Sequence, residues 1–383
     1  MPIVFFDYPT LFLYIIVGVL GAFCFKQANR KRFVVGEREV TAEIGYYCLF
    51  FFIFVLFAVL RKVAYKIGGT DAIAYKDLFE NILKDAKRFA YQEQLFFYLN
   101  MIVREVTDNY KIYSVICYGV VAFSYCFFVK NISFCNESYI PFILLVFPYL
   151  KSFSSIRSSL AVAVFLIGAI YLKKRKNLLG VVLIVATFWI HRMSVLYISF
   201  LVFYMIFRKR IVNLVGYKLY LFLIGYMSLG YMLSRIVQEY VLAFQLFYSD
   251  TDRWNMARSL EYGLMSRWPM MFPFLLLLLA IFFLHKKLPN TEDMHFLKML
   301  VFFDVIVLLP SLVLGMYRAN EYFYIARLTM WGVLIDVFLR KFHSNIKPIL
   351  KVGIFIGFLS WLIFRIYKEY EDLSIMPYIF DLF

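Results

Sequence analysis

Long apolar runs recur along the whole chain, and the short links between them carry most of the charge. "EIGYYCLFFFIFVLFAVL" (43–60), "LAVAVFLIGAIYL" (160–172) and "MMFPFLLLLLAIFFL" (270–284) are three of them. A segment of this kind leaves water, and in hydrocarbon every backbone N–H and C=O must find its partner within the protein, so only helices and closed barrels cross a bilayer. Barrel strands alternate apolar and polar residues, whereas these runs are apolar throughout, which predicts helices. The hydrophobic share of 63% and mean hydropathy of +0.74 leave no soluble domain of useful size. The expected fold class is an all-α polytopic membrane protein, one integral membrane domain over residues 1–383.

The net charge of +16 is not the footprint of a nucleic-acid partner. Basic residues gather in compact groups beside apolar runs, as in "KQANRKR" (26–32), Lys173 to Lys176, Arg208 to Arg210 and Arg340 to Lys351. Such groups anchor loops on the cytoplasmic side. An even number of crossings between anchors gives about twelve transmembrane or re-entrant spans, near 10–25, 44–60, 111–129, 139–150, 156–172, 178–190, 193–207, 214–234, 269–284, 296–314, 322–339 and 348–366. Both termini and two larger segments, 61–110 and 235–268, then lie outside. The first contains the amphipathic "YQEQLFFYLNMIVREV", and the second is rich in Arg, Tyr and Trp, as an interfacial lid would be. The opening segment lacks a basic start and a cleavage site and is read as a retained span.

The run from Leu178 to Phe207 is the most constrained. It lies between two cytoplasmic anchors, so it must go out and return, which leaves roughly 22 Å of helix for each leg. That is less than the roughly 30 Å hydrocarbon core. The turn in the middle carries His191 and Arg192, and an ionised group at that depth is tolerated only in a protein-lined cavity open to water.

The same topology puts Arg157, Arg192, Arg318 and Arg327 at the outer ends of spans. Arginine presents a fixed fork of donors that matches phosphate oxygens and stays charged at any working pH. Arg157 opens a helix, whose free N–H groups also favour an anion. The four together are read as a binding site for a diphosphate-like group. For acid/base work the outer candidates are His191 and Asp71, with Glu321, Asp250 and Asp252 behind them. Asp304 is expected to have a structural partner. The five cysteines, all within the first 135 residues, show no ligand spacing, and no phosphate-binding glycine loop or zinc motif is present. No metal and no cofactor is expected.

"GGTDAIAYKDLF" (Gly69, Thr70, Asp71, Tyr75, Phe79), "SSIRSSLAVAVFL" (Arg157), "FWIHRMSVLY" (His191, Ser194) and "MYRANEYFYIAR" (Arg318, Tyr322, Phe323) follow one another in the chain. Their order resembles the EpsG/Wzy-type membrane proteins that polymerise bacterial surface polysaccharides such as O-antigen. Ser158 stands where a Gln commonly follows the Arg, and Ser194 comes one place late. The resemblance implies a metal-independent membrane glycosyltransferase with a GT-C-like bundle, in the bacterial inner membrane. Its donor would be a glycan on undecaprenyl diphosphate, its acceptor a second lipid-linked repeat unit, and its active site would face the periplasm. A chain-length regulator is a possible partner. The alternative reading is a flippase for the same lipid-linked oligosaccharide, which would also need a cationic cavity; transporters often carry paired halves with matching broken helices, and this chain shows no such symmetry.

Alkaline phosphatase fused after Asp71 should be active and the same fusion after Lys176 inactive. The opposite pair of results would invert the topology.

Overall fold

The computed structural model describes residues 6–28, 42–89, 92–132, 139–207, 221–222, 224–226, 268–313 and 322–381. Regular structure in these residues is helical apart from two isolated bridges, Arg61 with Phe380 and Ala64 with Ile67. The chain order is α1 (Tyr8–Ala28), α2 (Ala42–Val59), α3 (Ala72–Asn81), α4 (Gln94–Val106), α5 (Tyr110–Asn131), α6 (Val146–Ser154), α7 (Ile156–Lys173), α8 (Asn177–Ile190), α9 (Val195–Phe207), α10 (Trp268–Leu284), α11 (Glu292–Val313), α12 (Tyr324–Leu339) and α13 (Lys347–Leu373).

Among the described residues α1, α5, α7 and α13 are long and apolar enough to cross a bilayer alone. Residues 43–59, 140–154, 177–190 and 197–207 form shorter apolar helices. The count of twelve crossings therefore does not follow from helix length. The expected pair of half-length legs is present: α8 ends at Ile190, residues Arg192–Ser194 make a 3-10 turn, and α9 starts at Val195. The expected span 139–150 falls in the short apolar helix of residues 140–154, which opens as a 3-10 turn, Ile140–Leu145, and runs into α6. Pro141 at the start of that turn offers no N–H to a preceding helix, which fits a short element here. The expected span 214–234 and the segment 235–268 fall almost wholly outside the described residues.

The chain divides into two compact units, one made of residues up to Ser194 together with Leu339 onward, the other of Val195–Phe338. In the first, α7 is the central helix, with 72% of its apolar window buried, while α13 buries 11% of its own and is peripheral. Close approach of α7 and α8 depends on Gly180, where a Cβ would lie 2.7 Å from the Leu172 side chain and 2.9 Å from its backbone nitrogen. Small residues at such a contact let dispersion act over the full length of the helix pair, which matters where lipid removes the hydrophobic drive. α1, α2 and α6 meet through rings: Phe25 stacks on Phe50 at 4.4 Å, Phe50 on Phe54 at 4.2 Å, and Phe54 meets the edge of Tyr149 at 4.8 Å. The Tyr149 hydroxyl donates to the Phe54 carbonyl at 2.7 Å, so the buried O–H is satisfied.

Arg61 is buried, with no carboxylate in contact among the described residues. Its guanidinium donates to the carbonyls of Ala58 and Gly68 at 2.5 and 2.8 Å and to the Tyr118 hydroxyl at 2.6 Å, and lies 4.1 Å above the Phe153 ring. The C-terminal carbonyls of α2 supply the negative end that this charge needs. It also fixes the loop in which Gly68 and Gly69 turn with φ of 77° and 122°.

In the second unit Tyr322 stacks on Tyr197 at 3.5 Å, and Phe303 lies 5.3 Å from Phe200 and 5.6 Å from Phe323. Asp304 has the structural partner expected of it: Arg327 Nε lies 3.1 Å from its Oδ2.

Gly69→Ala should lower the thermal stability of the purified protein by about 2 kcal/mol or more. A Cβ there would sit 2.3 Å from the Phe153 carbonyl oxygen at a φ that L residues rarely adopt. Gly353→Ala, with open space around it, should be neutral or mildly stabilising.

Candidate functional site

The loop before α3 is bound to two distant stretches of chain. Gly69 N–H donates to the Ser374 carbonyl at 3.1 Å, and Thr70 N–H to the Leu373 carbonyl and to Ser154 Oγ, each at 3.1 Å. Ser154 Oγ donates in turn to the Leu373 carbonyl at 2.7 Å. The loop thus sits on the elbow between α6 and α7, where Ser155 takes φ −148° and ψ 56° and breaks one helix from the next. Arg157 is the second residue of α7, three places beyond Ser154. Asp71, half-buried, occupies the N-cap position of α3, one residue after this junction.

α3 then carries the arrangement onward. Tyr75 and Phe79, four apart, share one helical face and are buried. Tyr75 meets the Phe96 ring of α4 edge-on at 5.8 Å, and Phe79 stacks on Tyr113 of α5 at 4.8 Å. The first of these contacts holds the N-terminal turn of α4 in place, and the second ties α3 to α5. The residue just before that helix, in extended conformation, is Glu93.

Glu93 is the centre of the site. Arg157 Nη1 donates to its Oε2 at 2.5 Å and to Gln92 Oε1 at 2.7 Å. The backbone N–H of Arg192 donates to Oε1 at 3.2 Å, and His191 Nδ1 lies 3.6 Å from the same oxygen. Three of the predicted residues, Arg157, His191 and Arg192, are therefore brought together from two places in the chain. Burial alone would raise the Glu93 carboxyl, but the adjacent His191 ring, the Arg157 charge and the Arg192 N–H outweigh it and hold the pKa at about 2. Among the described residues the cluster sets one carboxylate, Glu93, against two arginines, Arg157 and Arg192, an excess of positive charge.

Exposure is graded across the cluster. The Glu93 and His191 side chains are each 8% exposed, Arg157 is 23% exposed, and Arg192 is exposed. His191, expected as an acid/base group, sits at the back, beside the carboxylate. Arg327 belongs to the second unit, where it is held by Asp304 and lies over Phe274 at 4.3 Å and Tyr324 at 5.0 Å. Arg318, Glu321, Asp250 and Asp252 lie outside the described residues.

The sequence reading missed Glu93. It is one of seven acids between Arg61 and Lys111, and nothing in its spacing separates it from the others. The one available signal was position, just before the apolar face of "QLFFYLN", where a helix N-terminus favours an acid.

Comparison with known proteins places these features in a family. Neither the curated proteins nor the solved structures give a match. The family model described as "EpsG family" matches residues 46–380, most of the chain and all of the motif stretches named above. The apolar helices and this match together make it a membrane protein of polysaccharide biosynthesis, and the chain belongs to the EpsG family.

Proposed function

We propose that this protein is a surface-polysaccharide polymerase of the O-antigen type, a membrane glycosyltransferase that moves a glycan from undecaprenyl diphosphate to a second lipid-linked repeat unit at the periplasmic face of the bacterial inner membrane. The observation that carries the reading is the convergence of Arg157, His191 and Arg192 on Glu93, from motifs far apart in sequence, at a site with surplus positive charge. Family membership supports the same class of reaction.

In the proposed step, a hydroxyl oxygen of the acceptor bonds to the anomeric carbon of the donor glycan. The bond from that carbon to the diphosphate oxygen breaks, and its electron pair leaves with undecaprenyl diphosphate. Negative charge grows on the leaving oxygen, and fixed guanidinium groups stabilise it without any rearrangement at the moment of reaction. Arg157 and Arg192 serve this end, and the sequence expectation adds Arg318, which lies outside the described residues. Arg327 has a weaker part, because Asp304 already compensates its charge. The hydroxyl proton goes to Asp71 or His191. Burial favours Asp71, which is half-buried at the mouth of the elbow, while His191 is buried beside Glu93.

Deleting the gene in its host should replace the polysaccharide ladder on a gel with a single-repeat band. Loss of that band as well would mean an earlier step, such as flipping the lipid-linked unit, and would overturn the assignment. Arg157→Ala and Arg318→Ala should each lower polymer formation by roughly 100-fold or more with the protein still in the membrane. Normal chain length in both would remove the arginines from the mechanism. Arg157→Lys should rescue poorly, since a single ammonium that takes over the Nη1 contacts to Glu93 and Gln92 has no second nitrogen to offer a phosphate.

A further inference from the structure

Glu93 has no part in the transfer as written above, yet every other charged group of the cluster is arranged around it. One of its oxygens takes Arg157, which opens α7, and the other takes the Arg192 N–H and faces His191, at the turn after α8. A single carboxylate therefore bridges two elements that each supply cations to the site. It cannot shift freely itself, because α4 is pinned through Phe96 to Tyr75 and so to the Gly69–Thr70 junction.

An anion near a phosphate site can play either of two parts. Placed at the mouth, it occupies the cations until substrate displaces it. Placed beneath them, it holds them for the substrate. The exposure gradient decides between these, since Glu93 is at the floor at 8% and the guanidinium groups lie outward at 23% and more.

We propose that Glu93 is the positioning residue of this site, a permanent buried counter-ion that fixes Arg157 and the His191–Arg192 turn so that both arginines present their free faces to the diphosphate. The proposal rests on the polymerase reading for the identity of that anion. Glu93 forms no bond to substrate and accepts no proton during the transfer. Its pKa lies below the ordinary value of 4.5, at about 2, so its hold on the cations is complete above 4.5 and is lost only as pH falls through about 2. The groups that face it are Arg157, Gln92, His191 and the Arg192 N–H.

The test uses the full-length protein in liposomes, with lipid-linked single repeats from the deletion strain as substrate. Glu93→Gln keeps the shape and removes the charge. It should lower kcat on the order of 100-fold, the scale expected for reacting groups misplaced by about 1 Å, with KM changed by less than about threefold. Because Glu93 acts through Arg157, this loss should shrink in an Arg157→Lys background. Unchanged turnover, a lowered KM that marks Glu93 as a competitor of the anion, or losses that simply multiply in the double variant would each overturn the proposal.

A second measurement does not depend on the reaction. In protein labelled with 15N in its histidine rings, Glu93→Gln should move the His191 signals, assigned with His191→Gln, and leave those of His285, His295 and His343 in place as proof of the fold. Unmoved His191 signals would overturn the proposal. If the wild-type protein joins no repeats while His191 responds, the polymerase reading fails and the Glu93 contact stands.

Discussion

The junction at Gly69 and Thr70 is the constraint on which the site depends. Buried N–H groups must be paired, and here the partners are supplied by the α6–α7 elbow and the end of α13. Satisfying them fixes where α3 begins. Phe79 then ties α3 to α5, Tyr75 fixes α4 through Phe96, and α4 fixes Glu93. A local demand for hydrogen bonds is passed by ring packing to an electrostatic centre, so a change at Gly69 acts on Arg157 without touching it.

Much of this fold is written in the apolar runs, since lipid leaves the backbone no choice but helix. The boundaries of α1, α2, α5 and α7 follow within a few residues of the expected spans, as do the ends of α8 and α9 on either side of the His191–Arg192 turn, while α13 runs on to Leu373, seven residues past its expected end. What could not be read was how many of the shorter helices cross. Hydropathy measures whether a residue can leave water, and a half-length helix buried against protein satisfies it as well as a full span does. Residues 140–154 show this: the Ile140–Leu145 turn is wholly apolar and runs into α6, yet the helix they form is shorter than a full span.

The site was legible in its cations and hidden in its anion. Arg157, His191 and Arg192 stand out because charge in an apolar run is rare and costly. Glu93 lies in a polar segment where acids are common, and only the folded chain distinguishes it from Asp77 or Asp85. The Gly-Gly of the first motif was read as a turn beside a possible catalytic Asp71. Its backbone also performs a structural task, binding Leu373 and Ser374 some three hundred residues away.

A buried carboxylate beneath two arginines raises an apparent conflict, because it spends positive charge in a site meant for a diphosphate. The conflict resolves once fixed position is separated from net charge. Without that carboxylate the long Arg157 side chain would turn toward water and the Arg192 N–H would lose its acceptor, so both would meet the substrate with their entropy still to lose. One carboxylate shared by Arg157 and the Arg192 turn orders them in advance, and the two arginines still outnumber it. The cost of burying Glu93 is met by the hydrogen bonds it receives. The site gives up part of its field and gains a geometry set before substrate arrives, and only charge already in place can favour a leaving group over the bound state that precedes it.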